Sequence, residues 1–162
     1  MSDSAAERTP SSSSQADPRP SNTPWLTPYL CVRDAKASTA FYETVLGFAV
    51  RDAVNEDGAT MHVEMTWQGQ LILMFAPEGA FGSTALTPRT SNTQAPHLFY
   101  LYVDDVDAAH TRALAAGGTS IMVPQDSFWG DRFCQIEDLD GYRWGLARRP
   151  APPATPTSHA PA

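Results

Sequence analysis

The chain has 162 residues, 42% of them apolar and 18% charged, with a formal net charge of −7. No stretch approaches the ~18 to 20 consecutive apolar residues of a membrane span, and no basic segment followed by an apolar one marks a secretory signal, so a cytoplasmic protein is expected. The acidic balance disfavours nucleic acid and anionic membranes as partners and suits a cationic or neutral small molecule.

In chain order, the first feature is a proline-rich end. Nine of the 14 prolines fall in residues 1–24 and 150–162, beside Ser11 to Ser14 at one end and Pro150-Ala-Pro-Pro-Ala-Thr-Pro at the other. Segments so poor in large apolar side chains bury too little surface to offset the entropy of ordering them, and both are read as disordered tails. Residues 25–149 then make one domain of about 125 residues, a common single-domain size. Cys31 and Cys134 lie in no metal-type spacing and read as small hydrophobes with free thiols.

Within that domain an offset of 71 lines up two segments: Tyr29 with Tyr100, Leu30 with Leu101, Val32 with Val103, Asp34 with Asp105 and Gly47 with Gly118. The first copy predicts a strand at 28–33, an Asp34 cap and a helix whose apolar residues Ala37, Ala40, Phe41, Tyr42 and Val45 follow helical spacing. Gly47 supplies its left-handed stop. Strand-like runs follow at 48–53, 60–67 and 70–76, separated by Glu56-Asp-Gly58 and Gln68-Gly69. After a linker at 77–96, the second copy predicts a strand at 98–103, an Asp105 cap, a helix from Val106 to about Ala116 and strands at 119–123, 131–137 and 142–148. The organisation is βαβββ twice, module 1 at about 25–76 and module 2 at about 97–149.

Three segments, Ala-Phe-Tyr-Glu-Thr-Val-Leu-Gly-Phe (40–48), Tyr-Val-Asp-Asp-Val-Asp (102–107) and Glu-Asp-Leu-Asp-Gly-Tyr-Arg-Trp (137–144), closely resemble the glyoxalase/bleomycin-resistance/dioxygenase, or vicinal oxygen chelate, superfamily. Phe128-Trp-Gly-Asp-Arg132 is similar to its PhnB-type branch. The resemblance implies an α+β fold: two modules forming a U-shaped, mixed and mostly antiparallel sheet around a small-molecule cavity, commonly in a homodimer. It leaves open whether the modules pair within one chain or exchange between two.

Strand alternation divides the first strands of the modules. Pro28, Leu30 and Val32, with Phe99, Leu101 and Val103, should pack under the helices. Thr27, Tyr29 and Cys31, with Leu98, Tyr100 and Tyr102, should face the cavity, Tyr29 opposite Tyr100. Tyrosine suits that place because its ring packs while its hydroxyl donates or accepts.

Metal-dependent relatives, by the resemblance, carry ligands at four positions that fall here on Thr27, Met74, Leu98 and Gly145. None is a good donor for a divalent cation. The residues therefore point to a protein without a cofactor, the alternative being a divalent metal (Ni, Zn, Mn or Fe) at a shifted site made of His62, Glu64 and His97. His62 and Glu64 share one face of a strand and read otherwise as a polar pair beside the cavity, or as catalytic acid and base.

In the Phe128–Arg132 segment, Trp129 could close the cavity while Arg132 or Asp131 contacts the ligand, or Trp129 could fill a core gap while Asp131 caps the turn. Trp67, Met74 and Arg143 complete the candidate lining. Two functions follow. One is a metal-free module that encloses a small organic molecule, cationic or aromatic, as bleomycin-resistance members of the family do in antibiotic resistance. The other is an enzyme: a lyase, isomerase or dioxygenase with shifted ligands, or a metal-free acid/base catalyst.

Overall fold

The computed structural model describes residues 16–150. Module 1 runs β1 (Tyr29–Val32), α1 (Ala35–Leu46), β2 (Ala49–Glu56), β3 (Ala59–Trp67) and β4 (Gln70–Pro77). A 3-10 turn (Ala80–Gly82) and the short α2 (Pro88–Ser91) then lead to module 2: β5 (Leu98–Tyr102), α3 (Val106–Ala115), β6 (Thr119–Asp126), β7 (Arg132–Glu137) and β8 (Arg143–Arg148).

The expected helix ends are in place. Asp34 accepts hydrogen bonds from the N–H groups of Lys36 and Ala37, and Asp105 from that of Ala108, which satisfies free donors of each first turn. Gly47 closes α1 at φ 71°, where its N–H and that of Phe48 reach back to the carbonyls of Glu43 and Tyr42. Strands β2 and β6 extend further than their apolar residues suggest, because antiparallel pairing to β3 and β7 continues past them.

Each module forms its own four-stranded mixed sheet, ordered β1-β4-β3-β2 and β5-β8-β7-β6. The βα crossover makes β1–β4 and β5–β8 parallel, and the remaining pairs are antiparallel hairpins. The fold is thus α+β with two βαβββ modules, as the repeat predicts.

The two sheets share one core, with α1 and α3 between them. Leu30, Val32, Val63, Met65, Leu73 and Phe75 from the first sheet join Leu101, Cys134, Ile136, Trp144 and Leu146 from the second. Tyr42 of α1 shows how: its ring centroid lies 5.8 Å from that of Phe75 and 5.5 Å from that of Trp144, so one side chain spans both sheets. The joint is also polar. Tyr42 Oη donates to Asp138 at 2.7 Å and Ser38 Oγ to Asp140 at 2.9 Å, while the Arg33 backbone and Nε both donate to Asp140 at 3.0 Å. Tyr142 Oη reaches the Cys31 carbonyl at 3.0 Å.

This packing corrects one expectation. With the helix-covered faces turned toward a common core, the opposite faces of the two sheets point away from each other, so Tyr29 and Tyr100 do not meet across a cleft within one chain. Of the expected tails, residues 1–15 and 151–162 lie outside the described residues. Near the domain, the Asn22 carbonyl accepts from Leu71 N–H at 3.0 Å, and the Arg19 guanidinium stands 4.2 Å over the Trp25 ring.

Candidate ligand-binding faces

On the first sheet the outward face begins at β1, where Leu30 and Val32 point into the core and leave Tyr29 and Cys31 outside. In register, Tyr29 lies beside Met74 of β4, and Met74 beside Glu64 of β3. His62 shares the parity of Glu64, and the sheet brings them to Tyr29: the hydroxyl sits 2.8 Å from His62 Nδ1, and the rings stack at 5.4 Å. His62 Nε2 stands 3.7 Å from Glu64, whose other oxygen lies 3.4 Å from Arg51 Nε. Hydroxyl and imidazole share a hydrogen bond here, with a carboxylate behind, and burial pushes the Tyr29 hydroxyl pKa up, which keeps its proton in place. Cys31 Sγ donates to the Ala85 carbonyl at 3.2 Å, beside a pocket of about 210 Å³ bounded by Tyr29, Pro77, Phe81 and Ala85.

The second sheet exposes Leu98, Tyr100 and Tyr102 from β5, with Arg143 and Gly145 on β8 and Phe133 and Glu137 on β7 at the same face. Tyr100 stacks on Phe133 at 5.4 Å and 16°, and Trp129 meets the edge of Phe133 at 5.4 Å. Trp129 Nε1 donates to Tyr100 Oη at 3.3 Å. Beneath them Asp131, 1% exposed, accepts from Tyr100 Oη and Tyr102 Oη, each at 3.2 Å, and pairs with Arg149. Burial pushes the Asp131 carboxyl upward, yet Arg149 and the two tyrosines outweigh it and hold the pKa below its ordinary value. Asp131 is thus the anchor of an aromatic platform, with Trp129 at its edge.

Several candidate residues lie elsewhere. Arg132 turns to the helix side, where it donates to both oxygens of Asp107 at 2.9 and 2.7 Å and to Asp126 at 3.3 Å; strand parity opposite to Phe133 takes it off the outward face. Trp67 packs on Phe48 at 6.0 Å and over Gly47, whose missing side chain leaves the room. His97 packs on Phe99 at 4.8 Å and Tyr142 at 6.0 Å, in module 2, so His62, Glu64 and His97 are not assembled. Among the described residues, no group of three or more His, Cys, Asp or Glu could hold a metal ion.

The four positions that the family resemblance assigns to metal ligands sit on the outward faces or just before them. Met74 is in register with Tyr29 and Gly145 with Tyr100. The Gly145 site is also filled: a Cβ there would lie 2.8 Å from the Phe133 ring. Thr27, Met74, Leu98 and Gly145 offer no charged donor, and this set does not fit a divalent cation. Phe133 and Arg51 went unnoticed in the sequence, although Phe133 carries the outward alternation of β7.

Residues 24–146 match the family model of the Glyoxalase/Bleomycin resistance protein/Dioxygenase superfamily. The chain belongs to that superfamily. An uncharacterised protein from Mycobacterium bovis, Mb0911c, is 33% identical over 128 residues, 77% of this chain and 83% of that protein. Among solved structures, TioX from Micromonospora sp. ML1 is similar at a TM-score of 0.59 and 22% identity, covering 76% of this chain and 98% of TioX. A bleomycin-binding protein solved in complex with bleomycin gives 0.51 and 21%, covering 77% of this chain and 98% of that one. These two likenesses show the superfamily fold.

Proposed function

We propose that the chain forms a homodimer and binds a small aromatic molecule between the first-sheet face of one protomer and the second-sheet face of its partner. The observation that carries this reading is the pair of outward faces: Tyr29 is 54% exposed, Tyr100 44%, Tyr102 55% and Trp129 41%. So much aromatic surface, laid on repeat-equivalent strands that turn away from each other in one chain, finds a partner across a two-fold axis. The bleomycin bound by the bleomycin-binding neighbour fits the same reading.

The aromatic surface, rather than net charge, favours the ligand. Glu64 faces Arg51, Asp131 pairs with Arg149 and Glu137 with Arg89, so these carboxylates are already compensated. The neutral donor set at positions 27, 74, 98 and 145 supports binding without a metal centre. Light scattering after gel filtration should give twice the chain mass. Metal analysis of protein purified without chelator should find no stoichiometric Ni, Zn, Mn or Fe, and a planar aromatic probe such as 2-naphthamide should saturate the protein. A monomer that binds nothing contradicts the reading.

A second reading rests on the Tyr29–His62–Glu64 chain of contacts, in which His62 exchanges a proton with Tyr29 and Glu64 steadies the charged imidazole. It makes the same cavity a metal-free acid/base site. Turnover that His62→Gln abolishes while probe affinity persists would favour it over binding alone.

A further inference from the structure

Arg143 stands on β8 at the outward face of the second sheet, in register with Leu98 on one side and Glu137 on the other. Its environment is incomplete. Glu137 accepts from Arg89 Nη2 at 2.8 Å, whereas Arg143 Nε lies 3.9 Å from the second Glu137 oxygen, beyond hydrogen bonding. The Nε atom is buried and finds no acceptor among the described residues. A guanidinium stays charged at any physiological pH, and a buried donor left unmet is costly, so an acceptor from outside the chain would complete it.

Two guanidiniums share one carboxylate here, which leaves a local positive excess on a chain whose net charge is −7. The three charged side chains border a pocket of about 300 Å³ together with Asn92, Thr93 and Gln94, neutral groups that can donate to an anion. A forked guanidinium matches the two oxygens of a carboxylate, phosphoryl or phosphonyl group. The aromatic platform is close by. Gly145 is in register with Tyr100, and Arg143 precedes Gly145 by two residues on the same face, a separation of about 7 Å along the strand.

We propose that Arg143, with Arg89 beside it, holds the oxyanion group of an aromatic acid whose ring lies on the platform of Tyr100 and Trp129. The inference rests on the aromatic-binding reading of the second-sheet face and names its ligand class: an anion, not the cation that the net charge suggests.

The test is calorimetry on the full chain with 2-naphthoate, 2-naphthylphosphonate, the neutral 2-naphthamide and the cationic 2-naphthylmethylammonium. The two acids should bind roughly tenfold or more tightly than the amide, as a charge-assisted hydrogen bond implies, and their order separates a carboxylate from a phosphonyl site. Arg143→Gln should reduce the acids to the affinity of the amide, Arg143→Lys should restore part of the difference, and Glu137→Gln should tighten acid binding. Should Arg143→Gln fail to fold by thermal melt, the gain in Glu137→Gln carries the test. If the amide or the ammonium binds as well as the acids, the inference is overturned while the aromatic reading stands. If none of the four binds, both are overturned.

Discussion

Tyr42 of the first module donates its hydroxyl to Asp138 of the second at 2.7 Å, and neither group is reached by solvent. The same Asp138 oxygen accepts from Trp144 Nε1 at 2.9 Å, and the other accepts from the N–H groups of Asp140 and Tyr142. This carboxylate holds the joint between modules, and so fixes which sheet faces turn outward. Tyr42→Phe leaves it one donor short in a buried place, and should cost about 1–3 kcal/mol by urea denaturation.

The same pair sets a pH dependence. Burial raises the Asp138 pKa, the bound donors only partly opposing it. The folded state therefore holds this proton more tightly than the unfolded one, and the Asp138 contribution to stability falls as pH rises from about 4 through the raised value. Removing the Tyr42 hydroxyl withdraws a donor to the ionised form. The cost of Tyr42→Phe should accordingly be larger at pH 7 than at pH 4; equal costs at both would contradict the assignment.

Asp131 behaves in the opposite sense. Its pKa is lowered against the effect of burial, so its contribution is present above about 3.9 and is lost as pH falls through the folded-state value. Asp131→Asn should remove that acid-side sensitivity. It should also loosen the Tyr100 and Tyr102 rings, seen as line broadening of their ring protons and a lower melting temperature.

Much of this was legible in the residues. The offset from Tyr29 to Tyr100 located both modules, the Asp34 and Asp105 caps located the helix starts, and alternation separated Tyr29, Cys31, Tyr100 and Tyr102 from the residues that pack under the helices, although it was read as turning them toward one shared cleft. What alternation does not carry is which face of one sheet meets the other. That depends on Tyr42, Ser38, Asp138 and Asp140, which in sequence read as ordinary helix and turn residues. Trp67 and Arg132 were drawn away by partners distant in the chain, an empty space over Gly47 and the Asp107 carboxylate. The Pro88–Ser91 turn, capped by Thr87, is too short to show a period.

Gly145 is held without a side chain by Phe133. Gly145→Ala would place a Cβ 2.8 Å from the Phe133 ring, with Leu98 at 3.2 Å behind. The ring must move, at a cost of about 1–3 kcal/mol for overpacking. Thermal melts should show the loss, and the Tyr100–Phe133 stacking shifts in the ring-proton spectrum should collapse.

The two thiols should differ in reactivity. Cys134 is fully buried, and that burial pushes its pKa up to about 11. Cys31 is half-buried, its thiol also raised, first by burial and then by Glu78 and Asp140. At pH 8 both are mostly protonated, and the thiolate is the reactive form. Iodoacetamide should modify Cys31 slowly, faster as pH rises, and leave Cys134 untouched until the protein unfolds. Mass spectrometry of the peptides reads both.

In the proposed dimer the first-sheet face of one protomer meets the second-sheet face of its partner. A nitroxide attached at Tyr29→Cys, in a Cys31→Ser background, tests it directly when that unlabelled chain is mixed with 15N-labelled wild type and relaxation is measured on the labelled chain. Such a dimer should show broadening concentrated at Tyr100, Tyr102 and Gly145 of the labelled chain. Absence of broadening there, or broadening confined to the partner's own first sheet, would contradict it.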